Sequence, residues 1–163
     1  MRGDLKELIK FVSPLAEKIF RQTGQLQPMW HAVTALDQTL IIPQPAADKN
    51  LAAALIRLEF KVRNVDHYVF MSEAWILNAT KSDISARDLR AIASEGLAEH
   101  PDRREIIMFS AENSRGETLT ALRYILRPEH GRAKLSPLTI DDMAGVKSEG
   151  RLVGLLERKG ATK

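Results

Sequence analysis

Two runs in this sequence, Tyr68-Val69-Phe70-Met71 and Ile106-Ile107-Met108-Phe109, are apolar at every position. Each is short, bounded by polar residues and rich in aromatic or β-branched side chains, which suits strands. Side chains along a strand alternate between the two faces of a sheet, so an unbroken apolar run asks for cover on both. An antiparallel sheet with one wet face would alternate apolar and polar residues instead. Either helices of the chain cover both faces, or helices cover one and a second subunit covers the other. Self-association is therefore a natural expectation, because broad apolar sheet area is rarely left open.

The elements around these strands follow from periodicity and turn chemistry. Leu5, Leu8, Ile9, Val12, Leu15, Ala16, Ile19 and Phe20 keep the i, i+3, i+4, i+7 rule, giving a helix over residues 4–22. Asp4 is its N-cap and Gly24 its stop. Pro14 lies inside and is expected to kink the helix or split it after Val12. The runs 30–35 and 39–42 read as a hairpin, ended by Pro43 and Pro45. Asp48 opens a second helix through about Val62, with Leu51, Leu55, Leu58 and Val62 as its main stripe, widened by Ile56 and Phe60. Arg57, Lys61 and Arg63 sit towards its C-terminal end, where the helix dipole favours cations.

After the strand at 67–72, Ser85 is expected to cap a third helix with Leu89, Ile92 and Ala93 inward. The runs 104–111 and 118–126 form a hairpin around Asn113-Ser114-Arg115-Gly116, whose loop of three or four residues decides what lies beside Ile106. Residues 134–140 form another strand, at an edge or bulged because of Pro137. Residues 151–156 are a candidate last strand. The expected fold is α+β: one domain over 1–163, of order α-ββ-α-β-α-βββ(β). Its sheet is mixed, mainly antiparallel, of about six strands with three helices. Residues 142–150 are expected as a mobile loop and 158–163 as a mobile tail.

Composition narrows the function classes. With no cysteine among 163 residues, disulfides, thiolate metal sites and a cysteine nucleophile are excluded. No run approaches the roughly 20 apolar residues of a membrane span, and acidic residues interrupt the first seven, so a cytoplasmic protein without membrane contact is expected. Basic residues number 24 against 21 acidic ones, a surplus of +3 on a well-mixed chain, which does not favour a nucleic-acid partner. Arg123, Arg127, Arg132 and Lys134 do lie along one hairpin and could meet an acidic partner or a phosphate backbone. Charged edges that prevent aggregation explain them more cheaply.

No phosphate-cradling GxxxxGK[ST] or GxGxxG loop, HExxH zinc motif or GxSxG nucleophile elbow occurs. Three constellations remain. In Glu99-His100-Pro101-Asp102-Arg103-Arg104-Glu105, a titratable imidazole beside carboxylates and guanidiniums could do acid–base work or clamp a phosphate. The second joins Asp66 and His67 to Ser72, Glu73 and Trp75 at the ends of a buried strand, with Arg123 as the natural partner of Glu73. The third is the four histidines, His31, His67, His100 and His130, which would need folding to converge on a metal with Glu73 or Asp102. Each has a plain structural explanation in turns, ion pairs and core packing, and neither a metal nor a cofactor is expected. The leading expectation is a non-catalytic binding or assembly module that forms a homo-oligomer, a dimer first, with another protein as a possible partner. The alternative is a hydrolase or transferase using Ser72, Glu73, His100, Asp102 and Arg123, with Arg103, Arg104 and Trp75 as ligand contacts. A weak nucleic-acid binder is the second alternative.

Overall fold

The computed structural model describes residues 4–77, 103–140 and 154–156, which hold two helices and six strands. Helix α1 runs Leu5–Thr23. The Asp4 carboxylate accepts the Glu7 amide at 3.1 Å, and Gly24, at φ 75°, donates its amide to the Phe20 carbonyl at 2.7 Å. Both ends are thus capped from within the chain. Pro14 does not split the helix. Its missing amide would have bonded the Lys10 carbonyl, and both residues lie on the exposed side, where water can satisfy that carbonyl. Leu5, Leu8, Ile9, Val12, Ala16 and Phe20 form the buried stripe.

Strands β1 (Met29–Thr34) and β2 (Thr39–Pro43) form the first hairpin, followed by α2 (Lys49–Val62) and the long strand β3 (Val65–Leu77). Strands β4 (Arg103–Asn113) and β5 (Thr118–Leu126) form the second hairpin, and β6 (Lys134–Leu135) completes the set. The sheet order is β2-β1-β3-β4-β5-β6, and all five pairings are antiparallel. The parallel part of the expected mixed sheet is not found among the described residues. Their helix count is two rather than three, and the helix expected from Ser85 lies outside them. So do the loop at 142–150 and the tail at 158–163. Of the candidate last strand only 154–156 are described, and they form no strand.

Both hairpins use the same turn. Ile106 faces Tyr124, so the second loop has three residues, closed by the Asn113 amide on the Glu117 carbonyl at 3.1 Å. Gly116 supplies the left-handed residue at φ 83°. In the first hairpin the Thr34 amide donates to Gln38 at 2.9 Å, and the left-handed position falls to Asp37 at φ 60°. Pro137 interrupts the last edge: Ile125 pairs with Leu135, Leu122 bridges Thr139, and the register slips by one between them.

The sheet has a core on each face. On one, α1 packs over Val69, Met71, Ile107, Phe109, Ala111 and Ala121. On the other, α2 contributes Ala52, Ala53, Ile56 and Phe60 to a cluster with Trp30, Tyr68 and Phe70. Trp30 stacks on Phe70 at 4.6 Å between centroids, and Phe60 on Tyr68 at 5.0 Å. Further along that face, Ile106 and Leu122 centre a third cluster with Met108 and Tyr124 beside them. The apolar strand residues that demanded two covers are met: Tyr68 to Met71, Ile106, Ile107 and Phe109 are all buried, and Met108 is partly so.

Candidate functional site

Strand alternation separates the polar residues singled out by sequence. From His67 onward, odd-numbered residues of β3, and those of β4 and β5, face α1, while even-numbered ones face the α2 side, as the pairing register and the two cores require; before it a register slip turns Val65 to the α2 side. Ser72 and Glu73 therefore stand on opposite faces. Glu73 is exposed, and its Oε1 accepts the Leu26 amide at 3.3 Å. The expected Glu73–Arg123 pair does not form, because Ile107 lies between them in the row Glu73, Ile107, Arg123. Arg123 turns instead to α1. Its Nη1 meets Glu17 Oε2 at 2.8 Å and Ser13 Oγ at 3.3 Å, and its Nε donates to the Ser136 carbonyl at 2.7 Å. The Arg123 hydrogen bond, outweighing burial, holds the Glu17 carboxyl below its usual range.

The arginines of the first constellation, Arg103 and Arg104, cover aromatic rings. The Arg103 guanidinium lies 4.8 Å over Trp75, and that of Arg104 3.9 Å over Tyr124. Such contacts suit side chains with a charged tip and a packed stem. His100 and Asp102 lie outside the described residues.

Two histidines do come together. His31 pairs with Val69 and His67 with Val33, which places both imidazoles on the α1 face of neighbouring strands. Both are buried. His67 Nδ1 lies 3.0 Å from Asp66 Oδ2, while Asp66 Oδ1 accepts the Ser114 hydroxyl at 2.9 Å. His31 packs edge-on to Phe11, and burial, then the neighbouring His67, pushes its pKa down. The proximity depended on the strand register, which residue spacing alone does not contain. His130 is exposed, away from the other two. Among the described residues no three histidine or carboxylate side chains cluster as metal ligands.

Sequence reasoning also missed a buried polar pair. The Tyr68 hydroxyl donates to Glu112 Oε2 at 2.8 Å, and burial followed by the Glu112 charge raises its pKa. The pair supports the core around Leu155, whose amide approaches the same hydroxyl at 3.5 Å.

The largest departure concerns α2. The Leu51, Leu55, Leu58 and Val62 stripe does not face the sheet. It is turned outward, with the four side chains 53, 40, 59 and 71% exposed, while Ala52, Ala53, Ile56 and Phe60 face the core. Two apolar rows on opposite sides of one helix are unusual where only one can be buried by the chain itself. Past the helix end, the Ala35 amide donates to the Asn64 carbonyl at 2.9 Å, which ties the tip of the first hairpin, with Leu36 80% exposed, to the residues just after α2.

No helix among the described residues is long and apolar enough to cross a membrane. Neither a protein-family model, nor a curated protein, nor a solved structure matches this chain.

Proposed function

We propose that this chain is a non-catalytic assembly module that pairs with a second copy of itself through the outer face of α2. The observation that carries this reading is the spacing of Leu51, Leu55, Leu58 and Val62, which is four, three, four. That is the seam spacing of paired helices, and it reads the same in both directions. Two antiparallel copies therefore meet in register, Leu51 against the partner's Val62 and Leu55 against the partner's Leu58. A two-fold interface must match a surface to itself, and this one does.

Charge favours the same orientation. Arg57 and Lys61 lie in the second half of α2, where Arg63 is paired with Glu59, and Lys49 alone lies in the first. A parallel pair would stack the cations on their own copies, whereas an antiparallel pair separates them and opposes the helix dipoles. Four side chains make a patch smaller than a standard interface of about 800 Å² per partner, so the dimer is expected to hold at micromolar concentration. The dispersed hydrolase or transferase has less support, since Ser72 and Glu73 stand on opposite faces and Arg123 is engaged by Glu17.

Light scattering on the eluting protein at high micromolar concentration should give twice the 18.3 kDa chain mass. The double variant Leu55→Glu/Leu58→Glu should run as a monomer with an unchanged circular dichroism spectrum. A wild-type monomer under these conditions overturns the reading.

A further inference from the structure

We propose that the cleft between the last turn of α1 and the β5–β6 edge binds a small phosphorylated ligand. The cleft holds about 760 Å³, within the range of small-molecule sites. Phe20 and Leu135 give it apolar wall, while Arg21, Arg127, Arg132 and Lys134 line it together with Glu17. Among the described lining residues that is four cations against one carboxylate, a surplus of three charges in one concavity. The whole chain carries a surplus of only +3. Counting the charged side chains just behind the lining leaves a surplus of two, because Arg123 adds a charge while Glu105 and Glu73, both acting on Arg127, each remove one.

Structural ion pairing leaves this surplus in place. Glu17 is shared: its Oε1 lies 2.8 Å from Arg21 and its Oε2 2.8 Å from Arg123. Arg127 is gripped from outside by Glu105, Nη2 to Oε1 at 3.1 Å and Nε to Oε2 at 2.5 Å, which fixes the direction of its guanidinium. Among the described residues Arg132 and Lys134 have no carboxylate partner. The α1 C-terminus adds roughly half a negative charge, too little to balance the remaining surplus. Planar guanidiniums at a concave wall suit a phosphate, whose oxygens accept paired N–H bonds, and the apolar wall suits an organic body attached to it.

Isothermal titration with inorganic pyrophosphate and with phenyl phosphate tests the site directly. Both probes should bind the wild-type chain, and Arg132→Ser/Lys134→Ser should weaken each by at least about tenfold, a loss of roughly 1.4 kcal/mol. Because the two substituted side chains are exposed, an unchanged circular dichroism spectrum should accompany the loss. The Leu55→Glu/Leu58→Glu variant should bind as the wild type does, which separates this site from the assembly surface. Absence of binding by both probes, equal binding by the Arg132/Lys134 variant, or binding confined to a short single-stranded DNA overturns the proposal.

Discussion

Arg123 shows what a charge costs on a strand face otherwise given to Ala121 and Ile125. It is buried, so the guanidinium must recover its lost hydration from Glu17, Ser13 and Ser136. Arg123→Ala should lower stability by about 3 kcal/mol, since it leaves Glu17 with Arg21 as its one ion-pair partner and opens a cavity against α1. Glu17→Gln, at a side chain 25% exposed, should cost less, about 1–2 kcal/mol. Urea unfolding checks both, and equal losses would contradict the asymmetry. His31 makes a pH prediction. Its folded pKa lies below the ordinary value, so below about pH 6.5 the unfolded chain binds the extra proton more readily. The contribution of neutral His31 is therefore complete above that pH and is lost as pH falls. The stability of His31→Phe should decline less than that of wild type between about pH 7.5 and 5.5. Parallel decline would contradict the assignment.

At the scale of elements, the two three-residue hairpins make a matched pair with one difference. Gly116 occupies the left-handed position at no steric cost, whereas Asp37 occupies it at some cost. Asp37→Gly should raise stability by about 0.5–1 kcal/mol, measured by thermal unfolding; a lowered midpoint would show that the Asp37 side chain matters more than its backbone. Much of this level was legible in the sequence. Asp4, Asp48 and Gly24 marked helix ends, Pro137 marked the interrupted edge, and the apolar runs at 68–71 and 106–109 marked central strands. The facing of α2 was not legible, for a physical reason. Its apolar residues occur all around the helix, so periodicity offers two rows and does not choose. The choice is made by the sheet, where Trp30, Tyr68 and Phe70 stand up from the strands and leave room for alanines rather than leucines. The candidate polar site was misread for a related reason, since Arg123 could be matched with Glu73 or with Glu17 until the register was known.

For the molecule as a whole, the demand for cover on both sheet faces is met within the chain, so the argument for assembly now rests on a helix instead of the sheet. The outward row of α2 is the feature that folding of a lone chain leaves unused. The absence of cysteine makes its use open to a clean measurement, because every introduced thiol is the only one per chain. In the antiparallel pair position 55 faces position 58 of its mate, within reach of a disulfide, whereas each of the two is offset from its own mate by about 5 Å along the helix axes on top of the gap between the helices. Position 51 lies about 16 Å from its mate and cannot be bridged. Under mild oxidation Leu55→Cys mixed with Leu58→Cys should cross-link to a covalent mixed dimer. Leu51→Cys alone should not, and Leu51→Cys mixed with Val62→Cys should give the mixed dimer. Cross-linking of Leu51→Cys to itself, or none at any of the four positions, would contradict pairing through α2.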